Sequence, residues 1–406
     1  MTYQQALEKM SSMGQEQVLR FWDELDEEQR AALLKQIEET DFSPLDRIHG
    51  GRQERGVFSP LAAMQIYHID ARRKELYEAG VQTIKAGKTA ALLLAGGMGT
   101  RLGTDDPKGM YDIGITHPLY IFECIINNLL DVVRETGTWI RLFIMTSEIN
   151  HDTTVKFLKE KGYFGYREDM ICFFRQDMAP VCNFNGKLLM ESKERIAVSP
   201  NGNAGWYSSM LRAGLGRYIE EEGIEWIDVF AVDNVLQRIC DPCFVGACVL
   251  SDVSVGAKVV RKAAPDEKVG VICLEDGRPS IVEYYELSRE MAETLDENGE
   301  PAYNYGVILN YLFKTAELPR VAGEKMPLHV VKKKINCLDE KGEYIRPDAP
   351  NGYKFEQLVL DMIHQLSACL PYEVAREREF APIKNLTGVD SVDTARELLA
   401  KNGVVL

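Results

Sequence analysis

The chain has 406 residues and a formal net charge of −15. Its length predicts two or three domains with a sizeable core, and its acidic balance excludes nucleic-acid binding, which needs a basic face, and disfavours anionic membranes. Nine scattered cysteines, a polar beginning and no long apolar run predict reduced thiols, no membrane span and a cytoplasmic protein.

Residues 1–85 are expected to form an N-terminal helical segment. Leu19, Trp22 and Leu25, then Leu33, Leu34 and Ile37, recur at helical spacing with acidic residues between them. Ser59-Pro60 reads as a helix start. From Thr89 short apolar runs alternate with helical stretches. Leu142–Met145, Val229–Val232 and Val269–Ile272 read as strands, and Phe122–Arg134 as a helix. This alternation predicts an α/β fold, a mostly parallel, doubly wound, Rossmann-like mixed sheet with helices on both faces. Asn185-Gly186 and Asp276-Gly277 predict inserted hairpins. A central domain is expected over 86–326, followed by a small C-terminal α+β part over 327–406 that closes on the site. That part holds the solvated run Lys332-Lys333-Lys334, a hairpin-like Lys341-Gly342 and a helix over Phe355–Leu366.

The most informative stretch is Leu92-Leu93-Leu94-Ala95-Gly96-Gly97-Met98-Gly99-Thr100-Arg101-Leu102-Gly103, with Pro107-Lys108-Gly109-Met110-Tyr111-Asp112 close behind. A buried strand runs into a glycine turn where no Cβ keeps a ligand from the backbone. Its free N–H groups form a concavity for phosphate oxygens. Arg101 and Lys108 add a planar fork and a point charge. The P-loop pattern fails, because Lys108 is followed by Gly109 and not by Ser or Thr. The dinucleotide fingerprint fails too, because Leu102 stands at its third glycine. Asp233 ends the Val229–Val232 run and falls, like the glycine turn, at the carboxyl rim of the sheet, where such folds bind ligands. Cys240-Asp241-Pro242-Cys243, with Cys248 nearby, lacks the further ligands of a zinc site, so neither metal nor redox chemistry is expected there.

The glycine loop resembles the nucleotidyl-transfer loop of the UDP-sugar pyrophosphorylases, most closely the UDP-N-acetylglucosamine branch. The resemblance continues through Arg175–Pro180, Pro200–Gly205, Val232-Asp233-Asn234, Val282-Glu283-Tyr284, Pro350–Lys354 and Pro382–Asn385. It implies a nucleotidyltransferase type A-like fold. The implied activity is uridylyl transfer from UTP to a sugar 1-phosphate with release of pyrophosphate. N-acetylglucosamine 1-phosphate is the first-choice acceptor, and glucose or galactose 1-phosphate the second. A non-catalytic sugar-nucleotide-binding regulator is a distant alternative, disfavoured by the full charge set. A monomer or weak homo-oligomer is expected.

The same resemblance implies roles. Leu94, Ala95, Gly96 and Gly97 face the uridine side, Gln176 meets the uracil edge, and Gly202 lets backbone meet the base. Arg101, Lys108 and Lys384 are catalytic cations, Lys354 is a further UTP contact, and Asp233 holds Mg²⁺ against the phosphates. Asn203, Gly270, Glu283, Tyr284 and Asn304 contact the sugar. Two departures fall on the sugar side: Ala204 where the N-acetylglucosamine enzymes commonly have glycine, and Val307 where a second asparagine is expected.

Overall fold

The computed structural model describes residues 1–48, 55–323 and 326–406. Their contacts group the chain into two compact units, each assembled from three separated segments. The larger comprises Arg55–Gln176, Trp206–Lys325 and Leu360–Leu406; the smaller comprises Met1–Glu54, Asp177–Gly205 and Met326–Val359. This grouping differs from sequential parts at 1–85, 86–326 and 327–406. The reason lies in which apolar faces meet. Met10, Leu33 and Ile37 pack with Leu188, Met190 and Ile196. Leu76 and Ile84 instead join the core around the large sheet.

The larger unit is built on a ten-stranded mixed sheet. Its strands in chain order are β1 (Phe58–Pro60), β2 (Thr89–Leu94), β3 (Arg141–Thr146), β4 (Ile171–Arg175), β5 (Trp226–Ala231), β6 (Val255–Arg261), β7 (Val271–Glu275), β8 (Arg278–Val282), β9 (Tyr305–Lys314) and β10 (Cys369–Glu373). The block β5-β2-β3-β4 is parallel throughout. The long strand β9 joins it antiparallel to β5 and pairs antiparallel with β6 and β7. Strand β6 continues the sheet through a parallel pairing with β10. Every residue of β2 and of β3 is buried, as expected for central strands of a sheet covered on both faces.

Four helices matter for the site: α1 (Ile66–Lys85), α2 (Ile121–Thr136), α3 (His151–Glu160) and α4 (Pro242–Ser251). Helix α2 buries Phe122, Ile125, Ile126 and Leu129 and stops at Gly137, whose φ of 71° suits a left-handed cap. Helices α1 and α4 meet backbone to backbone. A Cβ on Gly80 would lie 1.7 Å from Pro242 O, and one on Gly246 1.8 Å from Leu76 O. The Asp276-Gly277 turn joins β7 to β8, with both residues at positive φ.

Two expected elements are displaced. Ser59-Pro60 does not open a helix: it lies in β1, where proline is tolerated because the strand is at the sheet edge, and the helix begins at Ile66. The helix expected from Phe355 begins at Val359, because Gly352–Glu356 is drawn into a three-stranded sheet with His329–Lys333 and Cys182–Asn183. The lysine run lies along that sheet. In the same smaller unit, helices Tyr3–Ser12 and Glu27–Glu39 each start with a capping box, Thr2 with Gln5 and Asp26 with Gln29. Among the described residues no helix is long and apolar enough to cross a membrane.

Candidate active site

Strand β2 delivers its carboxyl end to a loop that is tied down at once. The Ala95 amide donates to Met145 O at 2.8 Å. Gly99 N–H donates to Asp106 O at 2.8 Å and Lys108 N–H to Gly97 O at 3.1 Å, so the loop closes on itself and sets Lys108 at a short 3₁₀ turn. The glycines serve different contacts. A Cβ on Gly96 would sit 3.0 Å from Gln176 Oε1, so the bare backbone lets that amide approach. A Cβ on Gly109 would strike the Phe122 ring at 2.3 Å, so that glycine seats the loop on α2. Gln176 is buried, and its backbone N–H donates to the O of Thr146, the last residue of β3.

Asn150, which belongs to no motif of the sequence, holds this loop from behind. Its buried side-chain amide donates to Ala95 O at 2.9 Å and to Gly97 O at 3.4 Å, while its oxygen accepts from Ser147 N–H at 2.8 Å. The only signal was its place one residue before α3. That position suggests a helix cap, yet the side chain makes no cap bond.

Asp233 leaves the end of β5, and its carboxylate lies 3.8 Å from Lys108 Nζ. Burial draws the Lys108 ammonium below its ordinary pKa, Asp233 holds it up, and Arg101 and Lys384 push it down again. Those opposing fields place three cations and one carboxylate within electrostatic reach of one another. Arg101 is exposed. Lys384 carries a hydrogen bond from Nζ to Asp390 at 3.0 Å, and its backbone N–H donates to Asp390 O. The neighbouring Ile383 N–H donates to Asp233 O at 2.8 Å, which links the Lys384 segment to the Asp233 turn.

Of the sugar residues expected in this unit, Gly270 and Glu283 come together with Val307 in a second group. The bare Cα of Gly270 is the meeting point: a Cβ there would be 3.6 Å from Val307 Cγ2 and 3.7 Å from Glu283 Cδ. Val307 N–H donates to Gly270 O at 2.9 Å. The Glu283 backbone N–H is held by Glu286 at 3.3 Å, and Glu286 in turn pairs with Arg55 at 3.0 Å. Tyr284 is exposed and meets Tyr285 edge-on at 5.2 Å. Asn304 accepts from Lys262 N–H through its backbone oxygen.

The smaller unit holds Gly202, Asn203 and Lys354. Gly202 has φ of 91°, and a Cβ there would lie 2.1 Å from Gln357 O. Its freedom is therefore used against protein backbone, a constraint the expected base contact did not anticipate. The Asn203 side-chain oxygen accepts from Val359 N–H at 2.8 Å, and Ala204 N–H donates to Gln357 O. Lys354 is half-buried on its strand. Burial lowers its pKa, Glu356 opposes that shift and Lys333 adds to it.

Cys240, Cys243 and Cys248 are buried free thiols. Burial pushes Cys243 up to about 11 and the other two well above their ordinary value, the reverse of an activated thiolate. Among the described residues no group of three or more His, Cys, Asp or Glu side chains is placed to hold a metal ion. Asp233 thus offers a single hard oxygen ligand. That donor set suits Mg²⁺, which is commonly held by one or two carboxylates and completed by water and substrate phosphates.

Comparison with known proteins bears on the whole arrangement. Residues 59–396 match the family described as "UTP–glucose-1-phosphate uridylyltransferase". The mouse "UDP-N-acetylhexosamine pyrophosphorylase-like protein 1" is 36% identical over 93% of this chain and 79% of its own. The Saccharomyces cerevisiae "UDP-N-acetylglucosamine pyrophosphorylase" is 32% identical over 96% of this chain and 88% of its own. Among solved structures, the uridine diphosphate N-acetylglucosamine pyrophosphorylase of Trypanosoma brucei superposes with a TM-score of 0.80 at 25% identity. It covers 97% of this chain and 84% of that one.

Proposed function

We propose that this chain, which belongs to the UTP–glucose-1-phosphate uridylyltransferase family, makes UDP-N-acetylglucosamine and pyrophosphate from UTP and N-acetylglucosamine 1-phosphate. One observation carries the chemistry. Lys108, on the loop that follows β2, and Asp233, just past the adjacent parallel strand β5, lie 3.8 Å apart, with Arg101 and Lys384 in their field. The relatives named for N-acetylglucosamine or N-acetylhexosamine, at 32–36% identity over most of the chain, support that acceptor over glucose or galactose 1-phosphate.

A phosphate oxygen of the sugar 1-phosphate attacks the α-phosphorus of UTP. The bond from that phosphorus to the bridging β-phosphate oxygen breaks, and pyrophosphate leaves. The nucleophile is already an anion, so no general base is needed and catalysis is positioning plus charge stabilisation. Gly96, Gly97 and Gln176 hold the uridine end. Lys108 stabilises the charge that grows at the α-phosphate, and Arg101 and Lys384 take the leaving phosphates. Gly270, Glu283, Tyr284 and Asn304 orient the sugar, and the resemblance gives Lys354 a phosphate contact and Asn203 a sugar contact. Asp233 would hold Mg²⁺, which when bound supplies further charge neutralisation to the phosphates. The free cysteines, most of them buried, fit the reduced thiols of a cytoplasmic enzyme.

The test is direct. Purified protein is incubated with UTP, Mg²⁺ and a panel of sugar 1-phosphates, and pyrophosphate release is measured. Release with N-acetylglucosamine 1-phosphate at the highest kcat/KM supports the proposal. No release with any sugar, alongside measurable UTP or UDP-sugar binding, would favour a regulator.

A further inference from the structure

A fully buried lysine stands behind the phosphate side of the site and outside every role given above. Lys258 lies on β6 at an irregularity in its pairing with β9, between Ala257 and Val259. Its side chain is 0% exposed, and the Nζ donates to Glu379 Oε2 at 2.5 Å and to Arg238 O at 2.6 Å. The Glu379 side chain is 14% exposed and accepts in addition from Arg238 N–H at 3.2 Å. The pair therefore joins three segments: β6, the turn after β5, and the stretch that leads into Lys384.

A second set of bonds runs between the same two segments. Asn234 donates to Glu379 O at 2.8 Å and accepts from Ala381 N–H at 2.9 Å. Beside it, Ile383 N–H donates to Asp233 O at 2.8 Å. Asp233 thus belongs to this hydrogen-bonded clamp through its backbone oxygen, Lys384 follows the clamp by one residue, and the ion pair anchors it to the sheet. A buried pair is a weak source of stability, since apolar residues of similar volume often serve as well. Its use is better sought in what it holds still.

We propose that Lys258, acting through Glu379, is a positioning residue that fixes Asp233 and Lys384 relative to each other for the transfer step. The proposal rests on the uridylyltransferase reading, and it assigns Lys258 an effect on turnover and not on nucleotide capture. The loop Ala95–Lys108 and Gln176, which hold the nucleotide, are tied to β3 and α2 independently of this clamp.

The experiment compares the parent protein with Lys258→Met/Glu379→Leu, which removes both partners of the pair at once and leaves the buried Asp228 carboxyl without the Lys258 field. The expected result is a cooperative melt, kcat lowered about 10²-fold, and KM for UTP little changed. Glu379→Gln, whose amide oxygen still accepts from Lys258 and Arg238, should keep turnover well above that of the double variant. A measurement independent of turnover accompanies these: amide exchange over 379–384, expected to accelerate in the double variant. If that variant does not fold, Asn234→Ala, which opens the clamp while leaving the ion pair, is judged by the same kcat, KM and exchange criteria. A folded variant with parental kcat, or with parental protection at Ile383, overturns the proposal. A parent protein inactive on every sugar 1-phosphate instead overturns the uridylyltransferase reading, and the exchange result still decides the clamp.

Discussion

The loop Gly96–Lys108 and the group formed by Gly270, Glu283 and Val307 hang from the same sheet but are assembled in different ways. The loop is a single run of chain that leaves one buried parallel strand and folds on itself through short-range hydrogen bonds. The second group comes from three places around β7, β8 and β9, brought together by antiparallel pairing. The first brings two cations, Arg101 and Lys108, offset in formal charge by Asp105 and Asp106, and on the proposed function it would act through those cations and its backbone donors. The second carries one carboxylate and an apolar wall, and on the same reading it would discriminate by shape. A charge cluster that must neutralise a transferring phosphate tolerates little change, whereas a wall around a sugar can be rebuilt one residue at a time. The departures at Ala204 and Val307 occur in the part of the chain implied to contact sugar, while the loop retains Arg101 and Lys108.

The sharpest way to break this comparison is Lys108→Ala. If the loop acts on charge that develops in the transition state, kcat should drop about 10²–10³-fold, equivalent to ~2.7–4 kcal/mol, with a smaller change in UTP affinity. Steady-state kinetics paired with calorimetric UTP binding separates the two. Unchanged turnover would remove Lys108 from the chemistry.

Asn150→Ala asks whether the loop is held from behind. The substitution strips the buried Ala95 O of an amide donor and Ser147 N–H of its acceptor. Leaving such groups unpaired costs about 1–3 kcal/mol, so both the melting temperature and the apparent UTP affinity should fall. A stable variant with parental UTP affinity would mean that the loop keeps its shape unaided.

Asp233→Asn should leave the fold intact, because it is the backbone oxygen of Asp233 that pairs with Ile383. The expected change is a rise of at least about tenfold in the Mg²⁺ concentration for half-maximal activity, which corresponds to ~1.4 kcal/mol. An unshifted Mg²⁺ requirement would assign the carboxylate to orienting Lys108 alone.

How much of this was legible in the sequence follows from the same contrast. The glycine loop and Asp233 could be picked out because each follows an apolar run, and Lys108 because it lies on the same contiguous stretch as the loop. Asn150, Lys258 and Glu379 were invisible because their partners lie far along the chain, 121 positions apart for Lys258 and Glu379. Periodicity also misplaced Phe355. Its side chain is fully buried with Ala179 and Cys182 in a small sheet, and an apolar residue near a helix start has no local mark that separates strand from helix. The division into units was hidden for a related reason. The helices before residue 40 find their apolar partners near 188–196, and no shift in composition announces that pairing.

The smallest expected effect tests the acceptor side. Val307 offers a branched apolar surface next to the Glu283 carboxyl carbon, both within van der Waals reach of where a Cβ on Gly270 would be. A wall that cannot hydrogen-bond a substrate group loses its power to demand that group. The parent enzyme should therefore use N-acetylglucosamine 1-phosphate and also accept glucose 1-phosphate at a measurable rate. Val307→Asn keeps a similar side-chain volume and adds an amide that can donate and accept. If that amide reaches the acceptor, the ratio of the two kcat/KM values should shift toward the N-acetylated sugar by one hydrogen bond's worth, about 0.5–1.5 kcal/mol. Competition between the two sugar 1-phosphates in one reaction reads this ratio directly, free of errors in enzyme concentration. A parent that uses one sugar alone, together with an unshifted ratio in the variant, would show that position 307 faces away from the acceptor. The contrast drawn above between a fixed loop and a rebuildable wall would then lose its second half.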